Sequence, residues 1–190
     1  MSTPKTIIIL SGKRKSGKDF VASLLQEKLD PNRCAILRLS YPLKSQYSKD
    51  HGLDLEKLLD ASDFKELYRA DMIRWGEEKR NQDPMYFIRA ISSEPGAEKP
   101  IWVVSDARRR SDMDCLHQLF PNIILSLRIH AEEIVRRERG WQFVHGVDDA
   151  ESECGLDGYN SFDHHLENDG DVNKLNDVID NILRSHHLLS

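Results

Sequence analysis

SGKRKSGKD, residues 11–19, packs four cations and two glycines into nine positions and closes on an aspartate. Gly12, Gly17 and Lys18 satisfy G-x-x-x-x-G-K. The run before it, TIIIL (Thr6–Leu10), is continuous and apolar, the pattern of a strand buried on both faces. The run after it, FVASLLQEKL (Phe20–Leu29), spaces Phe20, Leu24 and Leu25 as a helix does. Strand, loop and helix in that order are the context a phosphate-cradling loop requires. Its glycines let the backbone curl until successive N–H groups converge on an anion at a helix N-terminus. Lys18 is then placed to reach the outer phosphates of ATP.

Two features depart from the ordinary loop. Asp19 stands where a magnesium-binding hydroxyl usually stands. Its carboxylate can bind or orient Mg²⁺, and it also suits the positive end of a helix; the two readings are compatible. Lys13, Arg14 and Lys15 add more charge than one triphosphate tail needs, which points to a second substrate that is itself an anion. The whole loop, Ser16 included, is expected to line the nucleotide.

Outward from the loop, strands and helices alternate. CAILRLS (Cys34–Ser40), IWVVSD (Ile101–Asp106), NIILSLRI (Asn122–Ile129) and FDHHLE are expected strands. Helical spacing runs from about Leu53 to Arg80, then through MYFIRAI, SDMDCLHQLF, AEEIVRRERG and DVNKLNDVIDNILRS. The expectation is an α/β domain over residues 1–190, a parallel five-stranded sheet flanked by helices. Residues 141–160 are polar, glycine-rich and non-periodic, and a mobile lid over about residues 131–160 accounts for so long an irregular stretch.

The formal net charge of −5 argues against a general nucleic-acid binder. Cations nevertheless bunch in KRKSGK, ARRR (Ala107–Arg110) and RRER (Arg136–Arg139), as suits a small anionic ligand. Three scattered cysteines, with no CxxC pair, indicate free thiols, no thiolate metal site and a reducing, cytoplasmic setting. No apolar run is long enough for a membrane span, and neither MSTPKT nor the terminal HLLS reads as a targeting signal.

Asp106 ends an expected strand, where ligands bind in parallel sheets, and can hold Mg²⁺ through water. Arg108 and Arg109 follow it and suit a substrate phosphate or carboxylate. In AEEIVRRERG, Glu132–Arg136 and Glu133–Arg137 are i,i+4 pairs. Arg139 has no such acid and precedes the lid, so it is the expected lid arginine over the ATP phosphates, with Arg136 second. The adjacent His164 and His165 face opposite ways on a strand and make a poor metal pair.

SGKRKSGKDF, RLSYPLK, DMIRWGEEKR, VSDARRRSD and GVDDAESECGLD together resemble animal phosphomevalonate kinase, from about Ile7 through the last helix. The aspartate closing the loop is part of that family's pattern. The resemblance implies a P-loop fold similar to nucleoside monophosphate kinases. It also implies ATP and Mg²⁺, transfer of the γ-phosphate to 5-phosphomevalonate, and a monomer with neither nucleic acid nor membrane as partner. Among mid-chain cations it singles out Lys44, Arg69 and Arg80 for the substrate, alongside Arg108 and Arg109. LENDG (Leu166–Gly170) looks like the adenine loop, with Asn168 offering its amide. The expected catalytic set is Lys13, Lys18, Arg109 and Arg139. No base is required, since a phosphate acceptor is already mostly a dianion at neutral pH. A nucleoside monophosphate kinase remains the alternative within enzymes. A nucleotide switch would need a guanine-reading N-K-x-D segment, which the chain lacks.

Overall fold

Residues 4–60 and 63–189 are described by the structure, a computed structural model. The readings of MSTPKT and HLLS fall partly outside them. Strand β1 (Thr6–Ser11) sets the layers, because its side chains alternate between two faces. Ile8 and Leu10 enter one buried cluster with Val21 and Leu25 of α1 (Lys18–Lys28) and Leu175 and Ile179 of α9 (Val172–Ser185). Ile7 and Ile9 enter a second, with Ile88 and Ile91 of α5 (Tyr86–Ile91) and Met113 and Leu116 of α6 (Arg110–Leu119). A side chain of this kind contributes about 1.5–3 kcal/mol when fully buried, so a strand apolar at every position holds helices on both faces.

The sheet runs β2-β3-β1-β4-β5 and every pairing is parallel. Its other members are β2 (Cys34–Leu37), β3 (Ile101–Val104), β4 (Ile124–His130) and β5 (His164–Glu167). β1 is central, and the chain leaves its neighbours β3 and β4 at the same edge as the glycine loop. The expected five-stranded parallel sheet with flanking helices is therefore present.

Three boundaries differ from expectation. CAILRLS stops as a strand at Leu37, and Ser40 opens a helix, α2 (Ser40–His51), that periodicity did not reveal. Its sequence, SYPLKSQYSKDH, has a weak apolar stripe, and the groups that cap it lie far along the chain. The expected helix from Leu53 to Arg80 is two, α3 (Leu55–Leu59), capped by Asp54, and α4 (Asp63–Gln82); residues 61–62 between them lie outside the described part. Tyr47, Leu58 and Met72 tie α2, α3 and α4 into a third, smaller cluster beside the sheet. Finally, residues 141–160 are less irregular than expected, containing α8 (Glu151–Cys154), while α7 (Glu133–Glu138) lies within the expected helix AEEIVRRERG.

Among the glycines, Gly12 makes the tightest approach to backbone: a Cβ there would lie 2.4 Å from the Ile129 carbonyl oxygen and 2.7 Å from Ser16 Oγ. Backbone on one side leaves nothing to swing away. Gly12→Ala is therefore expected to cost about 1–3 kcal/mol of stability, read as a lowered midpoint in urea unfolding with an unchanged slope. A midpoint equal to that of the parent would show that β4 yields at this point.

Candidate active site

Helix α1 starts without a side-chain cap, on Gly17 at φ 91°, so its first N–H groups are left for something else. The loop is braced from behind through its carbonyls. Arg136 Nε donates to the Arg14 carbonyl at 2.8 Å, Asn168 Nδ2 donates to that of Ser16 at 2.9 Å, and the Arg139 guanidinium donates to those of Ser16 (3.3 Å) and Asn168 (2.7 Å). In a trans peptide the N–H opposes the C=O, so the amides of Lys15 and Gly17 turn away from these braces. Lys18 Nζ folds back onto the carbonyls of Gly12 and Lys13. Ser16 Oγ is buried and has no protein partner.

Three expectations change here. Asn168 is buried and its amide is committed to the loop backbone, so it is not free to meet a base. Arg136 does not pair with Glu132; it is buried, stacked 4.2 Å from the Trp141 ring centroid, with its guanidinium on the loop. Arg139 likewise grips backbone oxygens rather than standing free above the loop. Glu133–Arg137 forms as expected. All three displaced residues reach the loop because the second turn of α7 and the end of β5 pack against it, and pair spacing along one helix carries no trace of that.

Across the cleft, both carboxylate oxygens of Asp106 accept backbone N–H bonds at the start of α2, from Leu39 (2.6 Å) and Ser40 (3.0 Å). This distant carboxylate is the missing cap of α2. It holds Lys44, one turn on, in a cavity of about 240 Å³ with Arg69, Arg80, Arg108 and Arg109. A larger cavity of about 820 Å³ is lined by Lys15, Lys18, Asp19 and Asp106, and the two share Ser40, Lys44 and Arg108 along one wall.

The arginines after β3 are aimed from below. The buried Asp112 carboxylate accepts the N–H groups of both Arg108 and Arg109 at 3.0 Å, and burial pushes its pKa up against those bonds. Glu77, which sequence reasoning passed over, accepts from Arg109 (2.5 Å) and Arg80 (3.3 Å). Arg109 Nε is buried without a protein partner. Arg69 is forked onto Glu66 at 2.7 and 2.5 Å, a local i,i+3 pair that leaves it on the cavity wall. Arg110, left out of the expected site, is exposed and lies over Tyr159.

The remaining cations meet the acids of residues 146–157. Arg14 binds Asp148 at 2.7 Å, Lys13 binds Asp157 at 2.8 Å, and Arg108 binds Glu153. Arg128 of β4 also binds Asp157, at 2.9 Å, and donates to Ser11 Oγ. Arg128 was missed, although it carries the same signal as Asp106, a charge near the C-terminal end of a buried strand. The stretch 141–160 reads as polar and non-periodic, yet its Trp141 and Leu156 are buried.

A family model described as phosphomevalonate kinase matches residues 10–122, more than half of the chain. The phosphomevalonate kinase of Drosophila melanogaster is 40% identical over 172 residues, covering 88% of this chain and 90% of that one. The chain belongs to the phosphomevalonate kinase family. Among solved structures, TT1252 from Thermus thermophilus superposes with a TM-score of 0.52 at 18% identity, covering 97% of this chain and 98% of that one. A gluconokinase from Sinorhizobium meliloti 1021 superposes with a TM-score of 0.50 at 16% identity, covering 93% and 90%. At such identities these two speak for the fold alone.

The cation-lined cleft of this family member can bind two anions against a shared wall, and its lysines register the crowding. Burial, followed by the Arg108 charge, lowers Lys18 from 10.5 to about 8. Burial, followed by Lys65, lowers Lys44 likewise to about 8. Depressed lysines mean that the charged forms cost folding stability at neutral pH. The unfolded chain holds those protons longer, so the cost fades as pH rises from about 8 toward 10.5. Carbon-13 NMR at the lysine ε-carbons is expected to give midpoints near 8 for Lys18 and Lys44 in the ligand-free protein. Midpoints at the ordinary lysine value would mean that water reaches both ammonium groups freely.

Proposed function

We propose that the chain catalyses transfer of the γ-phosphoryl group of ATP to 5-phosphomevalonate, yielding ADP and 5-diphosphomevalonate, a step of isoprenoid and sterol synthesis. The observation carrying this reading is the pair of cavities with a common wall: loop, Lys18 and Asp19 on one side, Lys44, Arg80 and Arg109 on the other. Family membership supplies the substrates. The triphosphate tail lies along the loop from Gly12 to Asp19, its oxygens taking the α1 N-terminal amides and Lys18 Nζ, which gives up its two carbonyl contacts. Ser16 Oγ, buried and unpartnered, is satisfied by the same oxygens.

The acceptor carries a phosphate and a carboxylate. Lys44, Arg69, Arg80, Arg108 and Arg109 are the groups that bind them, and Arg109 Nε finds its missing partner there. With the acceptor already anionic, no side chain need remove a proton. Lys13, Lys18, Arg109 and Arg139 act by holding two repelling anions in line and by balancing the charge that spreads over the transferring group. Asp19 and Asp106 suit a magnesium ion bound through water: Asp19 is mostly exposed beside the loop, and each Asp106 oxygen keeps a lone pair beyond its backbone bond. Such an ion, held by these two residues, would supply positive charge against the phosphates. Among the described residues no cluster of three or more metal-ligating side chains exists, which fits a metal held largely by water and substrate.

We place residues 131–160 as a lid on a single domain, acting as a monomer in a reducing cytoplasm where Cys34, Cys115 and Cys154 stay free. Ion pairs seat this segment on the loop, and substrates that compete for the same cations are expected to loosen and then re-seat it. Amide exchange over residues 141–160 is expected to slow when an ATP analogue and the acceptor are both bound; equal exchange with and without them would make the segment a fixed loop and remove Arg139 from the catalytic set.

In a coupled assay offering phosphomevalonate, AMP, CMP and GMP, turnover is expected with phosphomevalonate alone. Arg109→Ala is expected to lower kcat/KM for that acceptor by about 10- to 100-fold, the size of one lost charge-assisted contact, with little change in the KM for ATP. Turnover of a nucleoside monophosphate would instead establish a nucleotide kinase.

A further inference from the structure

Glu153 of α8 is buried to 4% exposure of its side chain, and it touches both halves of the cleft. Its Oε2 accepts the backbone N–H of Arg14, in the middle of the glycine loop, at 3.2 Å. Its Oε1 takes the guanidinium of Arg108, on the acceptor wall. The neighbouring Ser152 carbonyl also accepts from Arg108, and Asp148, five residues before Glu153, holds the Arg14 side chain. A carboxylate so deeply buried is costly unless paired. Here it is paired twice, once to backbone and once to charge.

We propose that Glu153 is a positioning residue for phosphoryl transfer. It fixes the Arg14 amide and the Arg108 guanidinium relative to each other. The inference rests on the kinase reading given above. Two anions must meet in line, one on the loop and one on the arginines after β3, and these arise from elements 94 residues apart (14 to 108). With residues 131–160 seated, this one bridge sets the separation between the two sites.

The test compares Glu153→Gln, which keeps shape and one acceptor oxygen, with Glu153→Asp, which keeps charge. Thermal unfolding first establishes that both fold. In the Gln variant, kcat with ATP and phosphomevalonate is expected to fall by about 10- to 100-fold. The dissociation constants of ATP and of phosphomevalonate, each measured alone, are expected to change little, so that the loss falls on kcat. The Asp variant should recover part of kcat. The amide nitrogen and proton shifts of Arg14 in the ligand-free Gln variant read the bridge with no substrate present. A moved Arg14 amide together with inactive parent enzyme would therefore indict the assigned reaction and leave the bridge standing. An unmoved Arg14 amide and an undiminished kcat would overturn the proposal. So would tighter binding of ATP and acceptor with undiminished kcat, since Glu153 would then be a stand-in anion that substrates evict.

Discussion

Like charges brought together in a cleft repel, and this constraint organises the molecule. Arg14, Lys15, Lys18, Lys44, Arg108 and Arg109 line connected cavities that a chain of net negative charge must nonetheless hold in shape. Two devices answer the repulsion. Glu77 and Asp112 fasten the arginines after β3 from beneath, one by side chain and one by backbone. Asp148, Glu153 and Asp157 pair with Arg14, Arg108 and Lys13. Lys18 instead rests on the carbonyls of Gly12 and Lys13, and its pKa, like that of Lys44, is lowered chiefly by burial.

That arrangement explains what could be read in one dimension and what could not. The loop was legible because strand, glycines, lysine and helix lie in consecutive residues, and all of its geometry is local. Arg108 and Arg109 were legible because they follow directly on a strand that is apolar at every position. Helix α2 was not, because its cap is Asp106, 67 residues beyond Leu39, and SYPLKSQYSKDH carries no local start signal. Periodicity finds helices that bury a stripe, and α2 buries mainly Pro42, Tyr47 and Ser48.

The contacts of three expected ligand residues escaped the sequence for a related reason. Asn168 was expected at the adenine from the family resemblance, and Arg139 and Arg136 over the phosphates from their place beside the lid. In the fold each spends its donors on loop carbonyls, which have few other partners. A backbone bent to present amides on one side must satisfy oxygens on the other. Side chains that answer that need look, in sequence, no different from side chains that answer a ligand. The glycines also carry more than conformational freedom: a Cβ at Gly17 would meet Asn168 Nδ2 at 2.1 Å, so the loop and its brace are fitted to each other.

The strand order has a consequence for how the chain is made. β1 and β2 are the first strands to leave the ribosome, but neither touches the other; β3 lies between them and pairs with both. No parallel pairing of this sheet exists until residue 104 has been synthesised, and α2 waits for Asp106, two residues later, before its first turn is capped. The residues up to β3 therefore emerge with TIIIL and CAIL unpaired, each a short β-rich apolar run of the type that joins wrongly with its like. The cationic loop directly after the first run and Arg38 directly after the second place repelling charge beside each, and so the loop proposed to hold phosphate also guards the unfinished chain.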